Sequence, residues 1–143
     1  MSIAEFISQS SARAGTRILP SVLVIEDDRR LRVRLTEQLI ECGIVPTIAA
    51  SGFEGVRMAG ALRPDLILID GLLPEMHGFE VARFIRRLDE NYRPHIAMIT
   101  AIYKNIRYHN EAKLKYGVDD YLVKPVSDVA LAAIVSKATR EER

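Results

Sequence analysis

Four apolar stretches of this sequence end in side chains suited to handling phosphate and a divalent cation. Glu26-Asp27-Asp28 follow Val22-Leu23-Val24-Ile25, and Asp70 closes Leu66-Ile67-Leu68-Ile69. Thr100 ends the run that begins at Ile96, and Lys124 follows Tyr121-Leu122-Val123. Brought together, carboxylates repel and raise one another's pKa. A hard divalent cation relieves that repulsion, and magnesium takes a few carboxylates along with water and phosphate oxygens. The Lys124 ammonium supplies a second positive charge. Such a set suits phosphoryl transfer, in which positioning and charge neutralisation carry most of the catalysis. A carboxylate can itself be the nucleophile and become an acyl phosphate. A lone acid after a strand is ordinarily a helix cap, the role read for Asp28. Asp70 has no such structural reason, because Gly71 and two leucines follow it and no helix starts there.

The elements that must position these residues alternate between two periods. Short, continuously apolar runs such as Val22–Ile25 and Leu66–Ile69 are the pattern of parallel strands buried on both faces. Asp28 is placed to cap a helix running to about Cys42, with Leu31, Leu35 and Leu39 at four-residue spacing and Gly43 as its stop. A second strand is read over Ile44 to Ala49. A helix capped by Ser51 then runs to about Leu62, with Phe53 and Val56 facing inward. Pro64 breaks it and introduces the third strand. A loop carrying Pro74 and Gly78 leads to a helix with Phe79, Ala82, Ile85 and Leu88. Ile96 to Thr100 is the fourth strand, Ile106 to Tyr116 the fourth helix, Tyr121 to Val123 the fifth strand, and Ser127 caps a last helix. Strands alternating with helices predict an α/β, doubly wound five-stranded parallel sheet, flavodoxin-like, (βα)5, with helices on both faces. In such a sheet ligands sit outside the carboxyl ends of the strands, where all four candidate groups lie.

Composition bounds the rest. At 143 residues the chain is one domain's worth, and 48% hydrophobic with 27% charged residues is a globular mixture that excludes a disordered chain. The formal net charge of +1 advertises neither nucleic acid nor an anionic membrane surface. A single cysteine, Cys42, excludes an intrachain disulfide framework or multi-cysteine zinc site and fits a cytoplasmic location. No apolar run approaches the ~18 residues of a membrane span. Residues 1–19, rich in Ser and Ala and weakly patterned, read as a loose or disordered leader, and residues 20–143 as the folded domain.

The stretches VLVIEDD (Val22 to Asp28), PDLILIDGLLPEMHG (Pro64 to Gly78), MITA (Met98 to Ala101) and DDYLVKP (Asp119 to Pro125) occur in order and on the expected elements. Together they resemble the receiver domain of two-component response regulators, whose simplest member is the single-domain chemotaxis regulator. The resemblance spans about Ser21 to Thr139. It implies that Asp70 is the phosphoacceptor and that Glu26 and Asp27 are the acidic pair holding Mg2+, Asp27 more directly. Leu72, two after the acceptor, lends its carbonyl to the metal. Thr100 is implied as the switch hydroxyl, Tyr121 as the aromatic that swings inward behind it, and Lys124 as the phosphate-binding lysine. A cis peptide is implied before Pro125. A histidine kinase or phosphotransfer protein is the implied phosphodonor and an unknown protein the output partner. The domain itself is expected to contact neither nucleic acid nor membrane, and to be a signalling acceptor rather than an enzyme.

Departures from the family pattern shape further expectations. Glu26 stands where an aspartate is frequent and keeps the charge. His77 stands where an acid is frequent and reads as a surface loop residue; His95 and His109 read as structural or exposed. The segment Ala101 to Tyr116 interleaves Lys104, Arg107, Lys113 and Lys115 with Tyr103, Tyr108 and Tyr116, as a partner surface or a solvated helix face. On the first helix, Arg30 and Arg34 lie together outside. Charged pairs typical of dimerising winged-helix regulators are absent from the last helix, where Val129, Ala133 and Ile134 form an apolar strip that is either core or an interface, including one for a homodimer. Leu72 and Ile102, apolar at positions that steer the hydrolytic water, imply slow self-dephosphorylation. Only Arg140-Glu141-Glu142-Arg143 follow Thr139, so the chain is expected either to act alone through a partner or to be a fragment of a longer regulator. The rival classes are a phosphate-independent pseudo-receiver, against which the intact acids and lysine argue, and an aspartyl-phosphate phosphatase. The latter usually places a second acid near its nucleophile, where Leu72 stands.

Overall fold

The computed structural model describes residues 2–5, 16–101 and 116–141. Its elements are β1 (Arg17–Ile18), β2 (Val22–Ile25), α1 (Arg29–Glu41), β3 (Thr47–Ala49), α2 (Gly52–Leu62) and β4 (Leu66–Asp70). They continue with α3 (Gly78–Arg86), β5 (His95–Thr100), β6 (Asp120–Val123), α4 (Asp128–Ala138) and β7 (Arg140–Glu141). Five strands form one sheet in the order β3-β2-β4-β5-β6, every pair parallel. The predicted α/β sheet is therefore present. Two residues from the leader segment, Arg17 and Ile18, pair antiparallel with Glu141 and Arg140.

Period-two alternation sorts the strand residues into two cores. Val22, Val24, Leu66, Leu68, Ala97, Ile99 and Leu122 face Leu35 and Leu39 of α1 and Leu131, Ile134 and Val135 of α4. Leu23, Ile25, Ile67, Ile69, Ile96 and Met98 face Ala59 of α2 and Val81, Ala82 and Ile85 of α3. Because both faces are covered, the strands are apolar at nearly every position. α1, α2 and α4 each begin where a short polar side chain satisfies free backbone N–H groups. Asp28 accepts from the Arg30 and Leu31 N–H groups at 2.8 and 3.4 Å. Ser51 accepts from Glu54 at 3.2 Å and Ser127 from Ala130 at 3.1 Å. Gly43, at φ +84°, ends the α1 region as its sequence position predicted.

Several expectations needed correction. The second strand starts at Thr47, although Ile44 is buried in the core. Phe53 does not face inward; it is 60% exposed. The buried residues of α2 are Gly52, Gly55 and Ala59, and a Cβ on Gly55 would collide with Ile25. Close approach to β2 at Gly55 and to Val81 of α3 at Gly52 therefore selects small residues for that face, and Phe53 turns outward. α3 ends at Arg86, leaving Leu88 beyond it and partly exposed. The apolar strip of the last helix divides: Ile134 is core, whereas Val129 and Ala133 are exposed. The predicted fourth helix lies outside the described residues apart from Tyr116, whose ring packs on Phe79 at 5.2 Å between centroids. Arg86 fixes the opposite end of the sheet, donating to the Gly117 and Pro94 carbonyls and pairing with Asp119 at 2.7 Å.

One glycine ties the fold to the site. The loop after β4 returns so tightly that Gly78 N–H donates to the Gly71 carbonyl at 3.2 Å. A Cβ on Gly78 would meet the Asp70 carbonyl oxygen and lie 2.7 Å from Met98 Sδ. Gly78→Ala is expected to destabilise the fold by ~1–3 kcal/mol, the usual cost of overpacking. Urea denaturation checks this, and an unchanged midpoint would show that the loop has slack.

Candidate functional site

The carboxyl ends of the strands bring the predicted groups together. Asp70 is the last residue of β4, the central strand, and is 3% exposed. Glu26 directly follows β2, is fully buried, and continues the sheet by donating its N–H to the Ala49 carbonyl at 3.0 Å. Asp27 beside it is exposed. One carboxylate oxygen from each of Glu26, Asp27 and Asp70 falls within 4.8 Å of the others. Lys124 follows β6, its N–H donates to the Thr100 carbonyl at 2.8 Å, and its ammonium lies 3.3 Å from Asp70 Oδ1. Asp70 Oδ1 also accepts from the Leu72 N–H at 3.0 Å. The acid is thus held from two directions. The Leu72 side chain points away and is 69% exposed.

Thr100 ends β5, opposite Val123 of β6. Tyr121, on β6, is half-buried and packs against the α2/α3 core. The Lys124-Pro125 bond is cis, as the resemblance implied. His77 is exposed at the start of α3 and makes no side-chain capping bond there, whereas His95 bonds Asp120 at 2.7 Å at the far end of the sheet. Ile102, His109 and the basic and aromatic residues Tyr103 to Lys115 lie outside the described residues.

Sequence reasoning missed a supporting residue. Arg32 donates through Nη1 to the carbonyls of Glu26 and Asp27, at 3.1 and 2.7 Å. The available signal was geometric: helical side chains lean toward the N-terminus, so Arg32 reaches back over the turn that carries the acids.

The electrostatics favour a cation. Burial, and then the neighbouring Asp70 carboxyl, push Glu26 up to about 8, while the Asp28 N–H and the Lys124 charge only partly offset them. Glu26 Oε1 accepts from Asp28 N–H at 3.0 Å, whereas Oε2 is buried with no hydrogen-bond partner among the described residues. A buried, unsatisfied carboxylate oxygen is costly, and a hard cation is the partner that three clustered oxygen donors suit. The residues present therefore fit magnesium.

Comparison with known proteins agrees with this geometry. The family model of the response regulator receiver domain matches residues 22–136. The chain is 38% identical over 127 residues to the transcriptional regulatory protein AfsQ1 of Streptomyces coelicolor, covering 86% of this chain and 54% of that protein. It is 33% identical over 119 residues to the transcriptional regulatory protein CusR of Escherichia coli K12, covering 83% and 51%. The chain thus spans about half the length of the curated relatives it matches. Among solved structures, the chemotaxis protein CheY4 of Vibrio cholerae superposes with a TM-score of 0.76 at 25% identity, covering 85% of this chain and 99% of that one. The receiver domain of sensor histidine kinase PA1611 from Pseudomonas aeruginosa, with magnesium coordinated in its active site cleft, gives 0.72 at 30% identity, covering 84% and 97%. This chain belongs to the response regulator receiver domain family of two-component systems. No helix among the described residues is long and apolar enough to cross a membrane.

The raised Glu26 has a signed consequence. Its folded pKa, about 8, lies above the ordinary 4.5. The folded chain therefore holds a proton that the unfolded chain releases, and this stabilisation is complete below ~4.5 and lost as pH rises through ~8. The metal-free protein is expected to melt at progressively lower temperature from pH 5 to pH 8.5. Magnesium should restore more at pH 8.5 than at pH 5, and Glu26→Gln should flatten the metal-free profile. A melting temperature independent of pH in the wild type would contradict this.

Proposed function

We propose that this receiver is a phosphorylation-driven switch in which Asp70 accepts a phosphoryl group from a histidine kinase or a phosphotransfer protein. The observation that carries the reading is the state of the Asp70 carboxylate. It is buried at the end of the central strand, held by Leu72 N–H and Lys124, and clustered with two further acids. An Asp70 oxygen attacks phosphorus, the donor's phosphorus–nitrogen bond breaks, and the departing imidazole takes up a proton from solvent, leaving an acyl phosphate. Lys124 stands where it can follow the charge from the carboxylate to the phosphoryl oxygens, and the Leu72 N–H keeps the nucleophile from rotating away. Glu26, Asp27 and Asp70, with the Leu72 carbonyl, would hold magnesium, which when bound neutralises charge on the transferring group. The magnesium in the PA1611 receiver supports this assignment.

Phosphate on Asp70 then offers new contacts to two groups at the neighbouring strands. The Thr100 hydroxyl turns toward it, and Tyr121 moves inward behind Thr100. A ligand that makes contacts in only one of two states shifts the population toward that state. The readout is a change in which output protein or output domain the receiver engages, within the cytoplasm. AfsQ1 and CusR, named as transcriptional regulatory proteins, suggest one kind of output. The acceptor is not a turnover catalyst, because the product stays attached until water removes it.

Incubation with phosphoramidate and magnesium tests the reading directly: the donor's phosphorus–nitrogen bond breaks, ammonia leaves, and one phosphoryl group is added. Intact-mass spectrometry should find a single addition in the wild type and none in Asp70→Asn. Lys124→Ala should label ~10-fold more slowly, equivalent to about 1.4 kcal/mol of lost transition-state stabilisation. Equal labelling of wild type and Asp70→Asn would overturn the assignment.

A further inference from the structure

Gln38 is the polar exception on an apolar helix face. The buried residues of α1 are Leu35, Gln38 and Leu39, and Gln38 is 7% exposed. Its Nε2 donates to the Val126 carbonyl at 2.8 Å and to Asp128 Oδ1 at 2.9 Å, across a separation of about ninety residues. Both partners are acceptors, so the amide must present its NH2 group to them. Its Oε1 is left buried and without a partner among the described residues. A leucine would fill such a position without leaving a polar atom unsatisfied. The two donated bonds are therefore what this side chain specifically contributes: one ends on the connection between β6 and α4, at Val126, and the other on Asp128, the first residue of α4.

That connection begins at Lys124. The lysine's own N–H is tied to the Thr100 carbonyl at 2.8 Å on one side. Two residues later the Val126 carbonyl is tied to Gln38 on the other. Beyond it, Ser127 caps α4, so the segment runs straight from one anchor into the next element. The Lys124 ammonium lies 3.3 Å from Asp70 Oδ1, longer than the ~2.7–2.9 Å of a short charge-assisted bond. The backbone origin of the side chain therefore decides whether it can close on a phosphoryl oxygen. The three acids stand on the turn after β2 and at the end of β4, outside this connection.

We propose that Gln38 is a positioning residue for Lys124: from α1 it holds the β6–α4 connection, and through it the ammonium that faces the phosphoryl group. The inference rests on the reading of Asp70 as the acceptor. It predicts a separation of effects, in which loss of the Gln38 amide impairs phosphoryl transfer and spares the cation site.

The test uses the full chain as wild type, Gln38→Met, Lys124→Ala and the double variant. Magnesium affinity is measured by isothermal titration calorimetry, and the phosphoramidate labelling rate at saturating magnesium by intact mass. Gln38→Met should bind magnesium within about twofold of wild type yet label roughly five- to tenfold more slowly, since small misplacements of a reacting group carry large rate penalties. In the Lys124→Ala background the same substitution should change the rate little, because two residues acting through one interaction are non-additive. Gln38→Asn, which keeps an amide but draws it back by one methylene, should show the same pattern and replaces the methionine variant if circular dichroism finds that unfolded. Labelling of Gln38→Met at the wild-type rate would overturn the proposal. So would an equal slowing in both backgrounds, or magnesium affinity falling in step with labelling. Failure of the acceptor reading is distinguishable, because it appears as labelling of an Asp70→Asn control.

Discussion

Glu26, Asp27 and Asp70 crowd three carboxylates into one pocket, with donor oxygens within 4.8 Å of each other and two of the three residues buried. Three negative charges in a poorly hydrated volume are unstable unless protons, an ammonium or a metal ion compensate them. The protein answers in part with Lys124 at 3.3 Å from Asp70 and in part by favouring the protonated form of Glu26. What remains is an affinity for a hard cation and for a transferring group whose charge that cation can share. The rest of the architecture can be understood as what holds this unfavourable arrangement in place.

It is held by a sheet whose side chains are divided between two packed faces. The central strand delivers Asp70 with Ile69 on one face and Leu68 on the other already locked by helices. The parallel register then aligns the ends of β2, β5 and β6 beside it. Repulsion at the strand ends is thus opposed by apolar burial along the strands, at roughly 25 cal/mol per Å² removed from water. Arg32 secures the turn bearing two of the acids, Gly78 lets the loop after Asp70 fold back on it, and Gln38 braces the connection after Lys124. Gln38 acts across the fold, whereas Arg32 and the Leu72 and Asp28 N–H groups act within the turns that carry the acids, so the site draws on tertiary packing and local turns together. Cys42 has no part in this chemistry: burial, with Asp128 and Glu41 nearby, pushes its thiol up to about 11.

The elements and the primary site residues were legible because each rests on a local rule. A continuous apolar run reads as a doubly covered strand, Asp28 and Ser51 read as caps, and an acid with no helix to cap reads as chemistry. What escaped depends on distances between elements. Phe53 has the type and spacing of a core residue, yet α2 packs so closely on β2 and α3 that its fully buried positions are Gly52, Gly55 and Ala59. Ile44 is core without being strand, because burial and ladder hydrogen bonding are separate conditions. The exposed Val129 and buried Ile134 are alike in hydropathy and differ only in which way the helix turns them. Arg32 and Gln38 look like solvated helix polarity until their backbone acceptors are seen, on the preceding turn for Arg32 and far along the chain for Gln38. A carbonyl exists at every position, so composition and spacing carry no record of it.

In the proposed switch the acid cluster holds a divalent cation and Asp70, with Lys124, receives the phosphoryl group. A crystal structure of the protein with magnesium and beryllofluoride, a mimic of the acyl phosphate, tests it most directly. The cation should sit on the Glu26–Asp27–Asp70 cluster, with beryllium bonded to an Asp70 oxygen and the Lys124 ammonium moved from the carboxylate to a fluoride. A cation bound away from these acids, beryllofluoride absent from Asp70, or Lys124 left on the carboxylate would contradict it.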